Sequence, residues 1–274
     1  MNNKSDIKLF FCLFGWALVP SVYLLVKMHI IAINNADINI LGQLEWFDLI
    51  DETIVTVLTV PLYYLLKPEK TNINKNGSMF FISFIVYVIF TVIVVYNISK
   101  ITTFMNSANS IQYLTLEAVS LLIGFISSFM IIILTLNSEY KLIRFAMILK
   151  ILCLIVLDYI FIRLYKENGS ALSEIIVNVV MGIILLILVK RKGYISFKKF
   201  ELIDFREWFR IGSFSGMQIL LDNIIYAVIV CKMVNAVNES GNYWVANNFI
   251  WGWLLVPVTC LGEVIRKNNI NFAA

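Results

Sequence analysis

Long uninterrupted apolar runs restrict this sequence more than any other feature. Residues 80–96 and 171–189 are examples, and each run is close to the roughly 20 helical residues needed to cross a bilayer. Because hydrocarbon offers no hydrogen-bond partners, backbone crossing it must be helical or part of a closed barrel. Neither run shows the period-two alternation of barrel strands. The sequence therefore predicts membrane-spanning α-helices.

The overall composition agrees with this prediction. Hydrophobic residues make up 60% of the 274 residues and charged residues 15%, whereas soluble domains have roughly 45–50% apolar and about 25% charged residues. A soluble domain of this length would need more charge on its surface. We expect an all-α integral membrane protein with about eight transmembrane helices, at residues 7–33, 47–66, 79–97, 111–136, 142–165, 171–189, 209–237 and 243–265.

Basic residues alternate between the segments that connect these spans. The N-terminus and the second, fourth and sixth connections are rich in lysine and arginine, and so is the C-terminus with Arg266 and Lys267. The intervening connections are nearly bare and include Lys100 and Lys166. Since lysine and arginine accumulate on the cytoplasmic side, the pattern predicts a multi-pass plasma membrane protein with both termini in the cytoplasm. The net charge of +4 then reflects topology, and we expect no nucleic-acid partner.

The sixth connection predicts the domain organisation. We expect an N-terminal six-helix lobe at residues 1–192, a cytoplasmic amphipathic linker at 193–208, and the first two helices of a second lobe at 209–274. Within residues 197–209, apolar and basic side chains fall on opposite helical faces, although Glu201 and Asp204 interrupt the pattern. This predicts a helix lying in the membrane interface, and a solvated linker is the alternative.

Ionisable residues inside the spans are candidates for function because burying charge in a membrane is costly. Asp158 in span five and Asp222 near the middle of span seven are too far from a helix end to cap it, so both are expected to line a hydrated cavity. Glu117 is placed near the outer face. The acids at residues 48–52 begin a helix, where its dipole favours them. Snorkelling to the interface explains Lys27, Lys150 and Lys232.

Motifs of soluble enzymes are missing from the sequence. It contains no HExxH, GxSxG, P-loop or GxGxxG pattern, and four scattered cysteines with a single histidine argue against a zinc site. The acids of DLIDE at residues 48–52 resemble the Mg²⁺-binding acids of membrane prenyltransferases, but no second such motif follows. We therefore expect no enzyme activity, with a Mg-dependent membrane transferase as a minor alternative.

Three stretches of the sequence resemble helices of known membrane transporters. They are residues 157–162 (LDYIFI) with 168–171 (NGSA), residues 209–218 (FRIGSFSGMQ) followed by Asp222 and Asn223, and residues 243–257 with YWVANN and GWLLVP. The first two resemble the fifth-to-sixth helix region and the start of the seventh helix of the MATE (multidrug and toxic compound extrusion) exporters, and the third resembles the eighth helix of a divergent bacterial branch of that family. The likeness extends to the wider multidrug, oligosaccharidyl-lipid and polysaccharide flippase superfamily and is best over residues 140–265.

The resemblance implies twelve helices in two lobes, so the chain is expected to be a member truncated after its eighth helix. It also implies alternating access, with Na⁺ or H⁺ entry driving export of small cationic organic molecules and with no other cofactor. The family's seventh-helix acid falls on Asp222, its fifth-helix acid on Asp158, and its sixth-helix polar partner near Asn178. The family's first-helix aspartate has no counterpart, since span one contains Lys27 instead.

A mechanism at Asp222 follows from its expected depth near the midplane, where alternating-access carriers bind their substrates. A carboxylate there can hold Na⁺ or a proton and release a cationic substrate by competition, with Asn223 and Gln218 supplying further polar groups. Two other functions stay open. A lipid-linked precursor flippase would need several cationic residues facing its lumen, and a non-transporting membrane subunit would need none of these sites.

Overall fold

The computed structural model of the chain describes residues 3–65, 73–137, 139–201, 205–258 and 260–261. Within these ranges the fold is all-α, as predicted, and contains no strand. The helices in them are α1 Asn3–Ile33, α2 Ile38–Leu41, α3 Leu44–Leu65, α4 Ile73–Phe104, α5 Ile111–Leu136, α6 Tyr140–Tyr165, α7 Glu167–Arg191, α8 Phe205–Ile225, α9 Lys232–Ala236 and α10 Ser240–Phe249. Two π-helical turns, Tyr226–Cys231 and Ile250–Leu254, extend α8 and α10.

Five helical stretches of the described chain are long and apolar enough to cross a membrane, judged by length and composition. They are Ile73–Phe104, Ala108–Leu136, Tyr140–Tyr165, Glu167–Arg191 and Arg206–Ala236. The other predicted spans correspond to α1, α3 and α10, so each of the eight predicted segments contains a helix. Several residues used for the orientation, among them Lys67, Lys70, Arg266 and Lys267, lie outside the described residues, as does Glu263.

The helices α4 to α7 form a bundle with α1 packed against α6, and α5 and α7 share the longest interface. Its core is built from large buried side chains, including Phe125, Phe129 and Met181. Tyr87 of α4 stacks on Phe125 of α5 with ring centroids 4.7 Å apart. Apolar side chains therefore form one core that extends from α4 across α5 to α7.

The helix α8 packs along α3 through two glycines one turn apart. A Cβ atom added at Gly212 would lie 2.3 Å from the Val57 carbonyl oxygen, and one added at Gly216 would lie 2.1 Å from Val57 Cγ2. Small residues at this spacing let helix backbones touch in a membrane. Residues 209–237 are therefore held directly against α3, so the two expected lobes share a helix–helix interface.

The predicted interfacial helix is wrong for residues 197–201, while residues 205–209 are helical as the start of α8. Residues 193–201 are not helical, and α8 begins only at Phe205. Residues 202–204 lie outside the described chain. The ring of Phe197 packs edge-on against Phe80 of α4 with centroids 6.0 Å apart, so the non-helical part of this segment contacts the bundle.

Tertiary hydrogen bonds explain the conformation of the linker. The Ser196 N–H donates to the Ile73 carbonyl oxygen at 2.9 Å, and the Asn76 side-chain amide donates to the Tyr194 carbonyl oxygen at 2.8 Å. These bonds tie the linker to the start of α4 and satisfy backbone groups that an isolated segment would pair within a helix. These partners lie far away in the sequence, so the amphipathic pattern of the segment alone does not predict them.

The same end of the bundle contains an exposed ion pair. Lys192 Nζ lies 2.9 Å from Glu139 Oε1, which also accepts a hydrogen bond of 2.8 Å from the Tyr194 hydroxyl. The hydrogen bond from Lys192 is the main reason why the pKa of Glu139 lies below its usual value. These contacts join the α5–α6 connection to the C-terminal end of α7.

At the opposite end, a buried amide joins α2 and α3 to α9 and α10. The Gln43 side-chain nitrogen lies 3.0 Å from Asn235 Oδ1 and 2.9 Å from Ser240 Oγ, while Gln43 Oε1 accepts from the Trp46 indole at 2.7 Å. A Cβ atom added at Gly42 would lie 2.5 Å from the Ser240 carbonyl carbon. The backbones therefore touch at this contact, which we term the Gln43 latch.

Substitution of Gly42 by alanine should destabilise the protein, because the added methyl group meets the backbone of Ser240. Overpacking of this kind costs about 1–3 kcal/mol. Gly15→Ala is the matched control, since nothing lies within 4 Å of a Cβ added there. Tryptophan fluorescence during thermal unfolding in detergent measures both. Equal melting temperatures for the two variants would contradict the close contact.

The orientation predicted from the basic residues is tested with single cysteines in a background without the native ones. Lys198→Cys should be protected from an impermeant maleimide added outside intact cells, and Glu239→Cys should react. The nearby Gly241 lies in the same predicted outer connection, but a cysteine there would not fit, because an added Cβ would lie 2.6 Å from Ile38 Cγ2. Equal labelling of both positions from outside would contradict the topology.

Candidate functional site

A buried ion pair connects α1 to α7. Lys27 Nζ lies 2.7 Å from Glu174 Oε1, and Lys27 is only 3% exposed. Tyr23 lies one turn earlier on α1, where residues four apart share a helix face, and its hydroxyl donates to Asp158 Oδ2 at 2.7 Å. Two successive turns of α1 thus present a phenol and an ammonium group to acids on α6 and α7.

Asp158 lies fully inside the bundle. Its Oδ1 atom accepts a hydrogen bond from the Ser173 hydroxyl, and its other oxygen is bound by Tyr23. Ser173 precedes Glu174 on α7, so one turn of that helix contacts both Asp158 and Lys27. Burying a carboxylate costs less free energy when two hydroxyl groups replace its hydrogen bonds to water than when it has no partner.

A third acid, Glu117 of α5, completes what we call the ionic network. Glu117 is 1% exposed and interacts electrostatically with Glu174 and Lys27. Tyr113 lies one turn before it, yet neither the Tyr113 hydroxyl nor Glu117 Oε1 has a hydrogen bond of normal geometry within the described chain. The network therefore places Asp158, Glu117 and Glu174 around the single ammonium group of Lys27.

A cavity of about 290 Å³ opens beside this network between α3, α5, α6 and α7. Its polar lining includes Glu174, Asn178, Asp51 and Lys150. Asn178 donates to the Ser120 carbonyl and hydroxyl oxygens at 3.1 Å, but Asn178 Oδ1 is buried without a partner in the described chain. Asn178 therefore lines the cavity as a residue, while its unpaired amide oxygen is itself buried.

The predicted residues of α8 lie elsewhere. Asp222 and Gln218 are exposed and make no hydrogen bond or ion pair within the described residues. Asn223 donates to the Leu49 carbonyl oxygen at 3.0 Å and to Glu52 Oε2 at 3.1 Å. The structure thus places Asp158 and Asn178 in the polar interior of the bundle and separates them from these three residues.

The face of α8 that packs on α3 explains this separation. Gly212, Gly216 and Asn223 contact α3, which leaves Asp222 and Gln218 on other faces of the helix. Asn223 also lines a second cavity of about 330 Å³ between α3, α4 and α8, whose other lining is almost wholly apolar. The role of Asn223 in the structure is to join α8 to α3.

Sequence reasoning missed Glu174 and misread Lys27. Snorkelling is wrong for Lys27, because its ammonium group lies inside the bundle and is paired. A signal for Glu174 was present, since Ser170, Glu174 and Asn178 recur every four residues along an otherwise apolar helix. Such a stripe shares one helix face. Tyr23 lies four residues before Lys27 and gave a similar signal.

The acids of the DLIDE segment mainly make contacts between helices. Asp51 accepts a hydrogen bond from the Tyr87 hydroxyl, and Glu52 accepts from Asn223, while Asp48 is exposed. No group of three or more histidine, cysteine, aspartate or glutamate side chains in the described ranges is arranged to hold a metal ion. Cys153, Cys231 and Cys260 are free thiols.

Comparisons of the chain with protein-family models, with curated protein sequences and with solved structures found no match. Inferences about function therefore depend on the ionic network and the cavity beside it. These are the places in the described chain where charged and unpaired polar groups collect inside an apolar bundle.

Removal of the buried ammonium group should destabilise the protein. Lys27→Met leaves Glu174 without its partner, and breaking a buried pair costs roughly 3 kcal/mol or more. The double variant Lys27→Met with Glu174→Leu should recover most of this loss, since it removes both charges. Lys192→Met is the control, because its pair with Glu139 is exposed and such pairs contribute little. Unfolding in a denaturing detergent titration measures all three. Equal losses for Lys27→Met and Lys192→Met would contradict a buried pair.

Proposed function

We propose that the chain forms part of a proton-coupled exporter of small organic molecules, of the kind that the MATE resemblance implies. The observation that supports this is the charge imbalance of the ionic network. Asp158, Glu117 and Glu174 surround one ammonium group, that of Lys27. Intramembrane acids of this kind mark ion pathways and proton relays in transporters.

The imbalance requires a further positive charge. Isolated carboxylates in a low-dielectric interior are far more costly than paired ones. Lys27 compensates one carboxylate directly and Lys150 acts on Glu174 only through space, so at least one of the three acids carries a proton or holds a bound cation. A site that gains and loses such a charge during a transport cycle can couple ion entry to substrate release.

Lys27 favours the proton over Na⁺ as the coupling ion. Its ammonium group already lies 2.7 Å from Glu174 Oε1, where a metal cation would have to displace it. A proton can bind Asp158, Glu117 or Glu174 without removing Lys27 from the interior. Protonation of Glu174 weakens the pair, and α1 is then held less firmly to α7.

A change at α1 can reach the second part of the chain. Ser21 lies six residues before Lys27 on α1, and its hydroxyl donates to the Gly252 carbonyl oxygen at 2.7 Å. Gly252 belongs to the π-helical turn that follows α10. The protonation state of the network and the position of α10 are thereby linked through one helix, which is the arrangement needed for alternating access.

The lipid-linked precursor flippase has less support. A pyrophosphate headgroup needs several cationic groups facing the lumen. The described cavity of the bundle is lined by one lysine, Lys150, and the nearby Lys27 is engaged with Glu174. The exporter is therefore the function that these side chains favour.

Asp158→Asn should lower substrate-driven proton flux by roughly tenfold or more, since about 1.4 kcal/mol on a barrier changes a rate tenfold. The amide keeps the size of the side chain but removes its charge. Proteoliposomes with an imposed pH gradient and an internal pH-sensitive dye give the measurement. Asp222→Asn is the comparator and should retain flux, because Asp222 lies outside the network.

Two outcomes would contradict this proposal. One is unchanged proton flux in Asp158→Asn with loss in Asp222→Asn, which would move the coupling site to α8. The other is transport driven by a Na⁺ gradient at constant pH, which would exclude the proton as the coupling ion.

A further inference from the structure

Lys150 is a lysine inside the bundle whose charge has no direct partner in the described chain. It lines the cavity of about 290 Å³ and makes no hydrogen bond or ion pair within the described residues. Glu174 acts on it through space, but Glu174 Oε1 is bound to Lys27. Lys150 lies ten residues after the start of α6 at Tyr140, a rise of about 15 Å.

The cavity has a cationic layer and a deeper acidic layer. Ser128 and Lys150 line it at similar depths, eight residues before the end of α5 and ten after the start of α6. Asn178 and Glu174 lie thirteen and seventeen residues before the end of α7 at the same end of the bundle. At 1.5 Å per residue, the second layer lies about 5–14 Å deeper than the first.

Two residues of the cavity lining have buried polar atoms without a partner. Asn178 and Ser127 are each 5% exposed, and Asn178 Oδ1 and Ser127 Oγ have no hydrogen-bond partner within the described chain. Phe125 and Met147 add apolar walls. The volume is close to the lower limit of ligand pockets, about 300 Å³, so the site suits a small organic molecule with polar ends and an apolar middle.

We propose that this cavity binds a small amphoteric molecule, with an acidic group paired to Lys150 and an amine directed to the deeper layer of Asn178 and Glu174. The inference rests on the proposed function, since this molecule would be the transported substrate. A ligand with only a cationic group leaves the charge of Lys150 uncompensated. A ligand with only an acidic group makes no favourable charge contact with Glu174, which also lines the cavity.

The test uses Ser128→Cys in the full chain without its native cysteines, because Ser128 is exposed and lines the cavity. N-ethylmaleimide, a neutral reagent, labels this cysteine in detergent with no ion gradient present. The probes are 4-(aminomethyl)benzoate, which is amphoteric, and benzylamine and benzoate, which each contain one of its charged groups. Protection from labelling measures occupancy of the cavity, and so it does not depend on transport.

We expect 4-(aminomethyl)benzoate to protect at a concentration roughly tenfold below that of benzylamine, which corresponds to about 1.4 kcal/mol from the added charge pair. Lys150→Gln should abolish this preference and Lys150→Arg should keep it. Lys141→Gln, in the first turn of the same helix and outside the cavity lining, should leave it unchanged. Melting temperatures of the variants show that each is folded.

Several results would overturn the inference. Benzylamine protecting as well as 4-(aminomethyl)benzoate would show that Lys150 has no role in binding. If benzoate protected at the same concentration as 4-(aminomethyl)benzoate, a contribution of Asn178 and Glu174 to binding would be excluded. A preference that survives in Lys150→Gln, or a cysteine at 128 that does not react at all, would also contradict the site. Failure of proton coupling at Asp158 would leave these binding results unaffected, so the two proposals are tested separately.

Discussion

The cost of an unmatched charge in a low-dielectric interior governs the arrangement of this bundle. Lys27 cannot lie at 3% exposure without an acid beside it, and Glu174 supplies that acid at 2.7 Å. The pair fixes the rotation of α1 against α7, and this rotation brings the Tyr23 hydroxyl to Asp158. The packing of α1 therefore depends on electrostatic matching as well as on apolar contact, and a change of protonation alters both.

Two kinds of contact hold the second part of the chain to the first. Along α3 and α8 the contact is between backbones, made possible by Gly212 and Gly216. At one end the contact is the polar Gln43 latch with Asn235 and Ser240. The interface is thus rigid where the glycines and the latch lie, and any relative motion of α8 and α10 must respect those two contacts.

The helical architecture and the interior position of Asp158 could be predicted from the sequence, because both follow from the length of apolar runs and the cost of burying charge. The face of α8 on which Asp222 lies could not be predicted from the sequence. Depth along a helix follows from counting residues, but the face that a residue occupies depends on which neighbour the helix packs against. The glycine stripe that turns α8 toward α3 decided that face.

The interfacial helix at residues 197–209 failed for a related reason, since the backbone partners at Ile73 and Tyr194 are distant in sequence. Glu174 was overlooked, although Ser170 and Asn178 on the same helix face pointed to it.

The contact of Gly42 with Ser240 has a mechanical consequence. With a clearance too small for a single methyl group, this point cannot be compressed. The stretch from Arg206 to Ala236 has 31 residues, about 46 Å of helix, and Gly212 and Gly216 hold its other end against Val57 of α3. Because both ends are fixed to the first part of the chain, this stretch cannot tilt about one contact without separating the backbones at the other.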